Sequence, residues 1–274
     1  MRHLDRVLRD VTIVVTGARS EAASGIAQVL SSSFNYRLML IARGPEVHRP
    51  SWLSRQDHWI SGYDLAHETD VLKLQDHLSE FKVEGKLALL CATGKFVGFT
   101  PIVEHTNDQF RQLIESNLLA VHGAARCFLP KLIAQGGGHF ITLGSLAAEM
   151  AYPYLVPFSS AKMALQYYVK GVANEYSQSG IVATNLALAT VNTQEERSLR
   201  PFAKHDDWLA LEEVAEAVHA VINSPSIVNN GNTVNVYKYS DSYFKDSWFE
   251  RIGRSEANNA SSPEETKALR KASK

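Results

Sequence analysis

The stretch Val11-Thr-Ile-Val-Val-Thr16-Gly17-Ala18-Arg19-Ser20-Glu21-Ala22-Ala23 decides the fold. Its first six residues form a β-branched run suited to a buried strand. Gly17 supplies a turn, and small residues then continue as a predicted helix to about Ser31. Strand, glycine turn and helix in this order make the context of a dinucleotide-binding turn. There the backbone comes close to a pyrophosphate and the helix N-terminus faces it. Thr-Gly after a strand is a weak signal alone, so the rest of the chain has to agree with it.

Outward from this turn, strand and helix signals alternate. Tyr36 to Ala42 predicts a second buried strand, Trp59 to Tyr63 a weaker third and Lys86 to Cys91 a fourth. Between Asp70 and Phe81, helical spacing puts Val71, Leu74, Leu78 and Phe81 on one face. A long helix is expected from Asn107 or Asp108 to about Gln135, carrying Phe110, Leu113, Ile114, Asn117, Leu118 and Val121. His139 to Leu143 predicts a strand, Ser159 to Tyr176 a helix and Val182 to Leu188 a strand. Leu211 to Ile222 predicts a helix opened by acidic residues, and Thr233 to Tyr237 the last strand. Near-continuous apolar strands separated by helices indicate α/β architecture: a doubly wound Rossmann-type domain with a parallel sheet of about seven strands and helices on both faces. Its ligands belong at the carboxyl ends of the strands.

At 274 residues the chain suits one large domain, expected over 1–253, with a polar tail at 254–274. A formal net charge of −1 gives no reason to expect nucleic acid or an anionic membrane as partner. Cys91 and Cys127 fall on a predicted strand and helix, and read as small buried residues in a reducing compartment. Met1 to Asp10 lacks the apolar core of a signal peptide, and no apolar run reaches membrane-spanning length. A cytoplasmic protein is the expectation.

The chemistry is concentrated in Phe158-Ser-Ser-Ala-Lys162, with Ser145 thirteen residues ahead of Phe158. Ordered landmarks surround it: the Thr-Gly turn, Asp64, Gly94, Asn117, Ser145, Lys162, Asn185 and the closing strand. On these residues the chain resembles the short-chain dehydrogenase/reductase family from Val11 to about Tyr237. That family carries Tyr-x-x-x-Lys with a Ser thirteen residues before the Tyr, so Phe158 stands where the resemblance expects the proton donor. The resemblance further implies that Asn117, in Ile114-Glu-Ser-Asn-Leu118, holds a water of the proton relay. Ser145 would bond a substrate carbonyl, and Lys162 the nicotinamide ribose. Tyr152 and Tyr154 lie in the preceding loop, as apolar lining or as a substitute acid; neither has the helical phase to replace residue 158.

For the cofactor, the resemblance implies Gly17, Arg19, Ser20 and Ala23 at the phosphates, although Glu21 stands where a glycine is expected. A gapped alternative lets Ser24-Gly25-Ile26-Ala27 supply the small residues; the gap-free register fits the distance to the second strand better. Leu40-Ile41-Ala42-Arg43 ends that strand with a base where an acid would hold the ribose of NAD. Arg43 with Arg19 therefore favours NADP(H) over NAD(H), a surface arginine being the alternative. Asp64-Leu65 resembles the family's Asp-Val at the adenine. Cys91-Ala92-Thr93-Gly94 replaces Asn-Asn-Ala-Gly, so Ala92 and Gly94 line the site without the polar tie between strands. Thr193 matches a Thr that meets the carboxamide, while Ala189 departs from a Pro-Gly pair. In the loop that follows, His205 reads as a solvated residue.

The reading that results is a short-chain dehydrogenase/reductase-like oxidoreductase that binds NADP(H) and passes a hydride to or from a small carbonyl or hydroxyl substrate. Activity is impaired or altered because Phe158 has no hydroxyl. The alternative is a non-catalytic nucleotide-responsive binding protein or a structural subunit, with no cofactor bound at all as a further case. A homodimer or homotetramer is expected. The aromatics beyond the last strand, from Tyr237 to Phe249, read either as a contact surface or as a lid.

Overall fold

A strand that hydrogen-bonds on both edges and is packed on both faces needs apolar side chains throughout, and this chain supplies them. In a computed structural model describing residues 11–44, 48–81, 85–201 and 203–238, β1 (Val11–Thr16), β2 (Arg37–Ala42) and β4 (Lys86–Cys91) are buried along nearly their whole length. With β3 (His58–Ser61), β5 (Gly138–Ser145), β6 (Ile181–Leu188) and β7 (Thr233–Val236) they form a seven-stranded sheet ordered β3-β2-β1-β4-β5-β6-β7. Every described pairing is parallel. The α/β expectation and the strand count are both met.

The helices cover the two faces. On one, α1 (Glu21–Phe34) and a later helix, Leu211–Asn223, contribute Ile26, Leu30, Val214 and Val218 to a core with Ile13, Leu38 and Leu186. On the other, α2 (Glu68–Ser79) packs beside the helix Ala120–Ala134 and the helix Val156–Glu175, through Leu74, Phe128 and Leu165. The sheet's order reverses between β1 and β4, which opens a crevice at their carboxyl ends.

Three local features differ from the sequence-based expectation. The long helix expected from Asn107 is α3 (Asn107–Ile114) and α4 (Ala120–Ala134), separated by a π-helical turn over Glu115–Leu119 that contains Asn117. The helix expected from Ser159 begins three residues earlier. After a short α5 (Ala147–Met150), α6 (Val156–Glu175) takes Pro157 into its first turn and carries Phe158 inside it. Finally, a short helix α7 (Gln194–Leu199) precedes α8 (Leu211–Asn223), α9 (Ser226–Asn229) and β7. Both cysteines are buried and free, as expected. No helix among the described residues is long and apolar enough to cross a membrane. The tail at 254–274 and the aromatics beyond Tyr237 lie outside the described residues.

Candidate active site

The strand ends gather the expected residues, Ala23 excepted, along one cleft of about 830 Å³, running from Arg43 and Asp64 past Gly17 and Gly94 to Ser145 and Lys162. Ala23, expected at the phosphates, is instead fully buried in the core under α1. A cleft of this size accommodates a ligand on the scale of a dinucleotide. At its first turn Gly17 has φ +75°, and a Cβ there would lie 2.8 Å from the Ala92 carbonyl oxygen, so glycine is required twice over. Ser20 caps α1, its Oγ accepting from the Ala23 amide at 3.1 Å. Gly25 sits within α1, where a Cβ would collide with Leu211 of α8. It serves helix packing rather than a phosphate loop, which favours the gap-free register.

Glu21, the first residue of α1, reaches the start of α7. Both its carboxylate oxygens accept from the Gln194 amide at 2.9 Å, and Oε2 also accepts from the Glu195 amide at 3.3 Å. Buried Thr193 caps the same short helix, its Oγ1 accepting from the Glu196 amide at 3.2 Å. The segment after β6 is thereby tied to the glycine turn by a carboxylate.

At the other end of the cleft, exposed Arg43 places Nη1 3.7 Å from the Asp64 carboxylate, and Arg19 donates to the Arg43 carbonyl at 3.3 Å. Asp64 also accepts from the Ala66 amide at 3.1 Å, and Leu65 lines the cleft beside it. Beyond β4, Ala92, Thr93 and Gly94 form the floor. Cys91 is buried, and desolvation pushes its thiol up to about 12. A polar tie between strands does exist, one step along the sheet: Thr142 Oγ1 donates to Asn185 Oδ1 at 2.8 Å, and Asn185 Nδ2 donates to Thr233 Oγ1 at 3.4 Å.

At the chemical end, Ser145 closes β5, its Oγ accepting from the Ala147 amide at 3.2 Å. Lys162 is buried and donates to the Leu143 carbonyl at 2.9 Å; burial without a partner carboxylate lowers its ammonium to about 8. Asn117 is fully buried, with Nδ2 donating to the carbonyls of Lys95 at 2.9 Å and Leu113 at 3.0 Å. A Cβ on Gly94 would fall 2.8 Å from Asn117 Oδ1 and 3.3 Å from Lys162 Nζ, so this glycine keeps a space open between them. Asn117 Oδ1 and Thr93 Oγ1 are buried with no hydrogen-bond partner among the described residues. Orphaned acceptors beside such a space fit a polar ligand there.

Phe158 lies one turn before Lys162, its ring centroid 5.8 Å from Nζ. The ring belongs to an apolar cluster with Leu113, Leu155 and Ala161, against which Phe96 and Tyr152 pack. Tyr152 lines the cleft. Tyr154 takes φ +63° and gives its carbonyl to the Phe99 amide at 3.0 Å.

Arg200 is a cleft residue that sequence reasoning missed. It is buried, ion-paired with Glu196, bonded to Thr190 Oγ1 at 3.0 Å, and stacked 4.5 Å over the Trp208 ring. A lone arginine after a short acidic helix offers no signal in sequence. The solvated reading of His205 is corrected: its ring packs 4.4 Å from Trp208 and meets the Arg200 carbonyl at 3.3 Å, so it supports that arginine.

The geometry agrees with sequence comparison. The family model for short chain dehydrogenases matches residues 11–204. An uncharacterized oxidoreductase of Listeria innocua is 28% identical over 188 residues, 67% of this chain and 73% of the relative. Another, of Staphylococcus saprophyticus, is 24% identical over 81% of this chain and 95% of its own length. Among solved structures, a gluconate 5-dehydrogenase from Burkholderia cenocepacia in complex with NADP and tartrate superposes with a TM-score of 0.70 at 19% identity, over 85% of this chain and 96% of that one. An NADPH-bound short chain oxidoreductase from Pseudomonas aeruginosa, described as containing an atypical catalytic center, gives 0.71 at 18% identity over the same shares. At such identities the structural likeness speaks for the fold, and the family match carries the assignment: this chain belongs to the short-chain dehydrogenase family.

Proposed function

We propose that this oxidoreductase-family chain binds NADP(H) in the cleft and acts on a small carbonyl or hydroxyl substrate, with activity reduced or altered by the phenyl ring at 158. The observation that carries the reading is that Asn117 and Lys162 meet at a space kept open by Gly94, in a cleft that Ser145 and Phe158 also line. A nicotinamide, when bound, supplies or accepts the hydride. Lys162 holds ribose hydroxyls with its ammonium, and Ser145 donates to the substrate oxygen. Asn117, through its free Oδ1, orders a water beside Lys162. Phe158 keeps the shape of the pocket but offers no proton. A proton for the substrate oxygen then comes from water, from a group on the substrate or from Tyr152.

Preference for NADP(H) rests on Arg43 and Arg19 at the end of β2. The NADP and NADPH in the two superposed structures belong to those proteins, and support a nicotinamide nucleotide here by likeness of fold. A homodimer or homotetramer is proposed as well, joined through α3 and α6, where Phe110, Met163 and Tyr167 expose apolar surface.

Fluorescence titration with NADPH tests the reading. Saturable binding, with reduction of a carbonyl panel that is slow or absent, is expected. An absence of binding at millimolar NADPH overturns it. The docking of Glu21 on Gln194 and Glu195 favours a second reading, in which the dinucleotide binds without turnover and its arrival moves the 193–200 segment. Tight binding with no turnover, even after Phe158→Tyr, would select that reading.

A further inference from the structure

Ser20, Thr193 and Glu195 line the cleft where α1 and α7 begin, and the Glu21 carboxylate bonds the start of one helix to the start of the other. We propose that Glu21 is a positioning residue: its carboxylate fastens the 193–200 segment across the cleft, and an entering dinucleotide must displace it, so that Glu21 sets how tightly the cofactor binds. The proposal rests on the dinucleotide reading above and deepens it.

The two ends of the segment are held in different ways. At its carboxyl end Arg200 is buried against Trp208, bonded to Thr190 and ion-paired with Glu196. Releasing that end would strip a buried guanidinium of its Thr190 bond and its stacking on Trp208, which is costly. At the amino end, the Glu21 bonds to Gln194 and Glu195 are solvent-exposed. Water can replace them, so this end opens at small cost. The asymmetry defines a strap with a buried hinge at Arg200 and a releasable catch at Glu21.

Charge decides what works the catch. Glu195 and Glu196 stand in the first turn of α7, so Glu21 already shares this corner with two other carboxylates. The phosphates of a dinucleotide entering beside Gly17 and Ser20 would add further negative charge at short range. Like charges in such a gap repel, and the more strongly once partly desolvated. The carboxylate therefore swings out when phosphate arrives. A ligand without phosphates, such as adenosine, occupies only the Arg43–Asp64 end and leaves the catch closed.

Two variants and two readouts test this in the full chain. Glu21→Ala removes the catch; Glu21→Gln keeps an acceptor oxygen and removes the charge. In ligand-free protein, amide exchange at Gln194 and Glu195 should rise at least tenfold in Glu21→Ala and less in Glu21→Gln. NADPH should bind at least tenfold more tightly to Glu21→Ala than to the parent, with adenosine affinity unchanged. In the parent, saturating NADPH should raise exchange at the same two amides. Unchanged exchange in Glu21→Ala would overturn the catch, and equal or weaker NADPH binding would overturn the displacement. If neither protein binds NADPH at millimolar concentration, the dinucleotide reading fails and the displacement with it, while the exchange data still decide whether Glu21 holds the segment.

Discussion

Phe158 presents its ring to Phe96 edge-to-face, with centroids 5.0 Å apart and planes inclined at 78°. This pair closes the wall of the cleft one helical turn from Lys162, and makes the pocket apolar where the resemblance to the family expects a phenol. A ring in that packing is held by its carbon edges, so a hydroxyl added at its tip alters chemistry more than shape.

Phe158→Tyr should therefore fold as the parent does and gain function. A positioned general acid contributes about 100- to 10,000-fold, or about 3 to 5 kcal/mol of barrier. NADPH-dependent reduction of a carbonyl panel should rise by at least 100-fold in kcat, with a thermal midpoint close to the parent's. No gain on any substrate, with NADPH still bound, would mean that Ser145 and Lys162 do not frame a working site.

Arg43 bears on the choice of cofactor. Its pair with Asp64 is long at 3.7 Å and the guanidinium is 69% exposed, so the pair adds little to stability and leaves Arg43 available to a phosphate. Arg43→Ala should weaken NADPH binding by about tenfold or more, in line with the loss of one charge-assisted hydrogen bond, and leave NADH binding nearly unchanged. Equal losses for both cofactors would place Arg43 outside the 2′-phosphate contact.

The sheet and the glycine turn were legible because a buried parallel strand leaves a continuous apolar signature; Val11–Thr16 and Lys86–Cys91 match their expected bounds to the residue. Features set by contacts distant in sequence were not legible. The π turn at Asn117 keeps helical periodicity on either side, so nothing in composition marks it. The Thr142–Asn185 tie depends on the register between β5 and β6, which a single sequence does not display. The short helix α7 has no buried residue of its own; Thr193 and Glu21 fix its start from outside. Glu21, which looked like a residue in conflict with its motif, had its partner 173 positions away.

Acid should destabilise the fold through its histidines. Burial holds His58, His105, His139 and His219 below the ordinary imidazole value of 6.5. His219 stacks on Phe34 at 4.2 Å and meets the Tyr36 hydroxyl at 2.9 Å. With folded values depressed, the unfolded chain takes up protons first as pH drops below 6.5. Their contribution is thus complete above 6.5 and shrinks as pH falls through the folded values. Thermal midpoints should decline between pH 7.5 and 5.5, and His139→Val should flatten part of that decline. A midpoint that holds steady over this range would contradict the burial of these rings.

Lys162 carries the same direction, stability rising with pH, into alkali. Its folded value near 8 lies below the unfolded 10.5, because the buried ammonium has a carbonyl but no carboxylate beside it. Between those values the unfolded chain binds the extra proton, so the lysine's contribution to stability rises with pH from about 8 to 10.5 and is smallest below 8. Replacing the ammonium with an apolar side chain of similar length should remove that dependence. Lys162→Met should then be more stable than the parent at pH 7 by up to the order of 3 kcal/mol, with the difference vanishing towards pH 10.5. Denaturant midpoints at pH 7, 9 and 10.5 measure it, and a less stable Lys162→Met at pH 7 would refute the claim. NADPH binding should run the other way. A ribose anchored by the charged amine is held best below pH 8, so parent affinity should fall as pH rises past 8 while Lys162→Met shows weak binding at every pH.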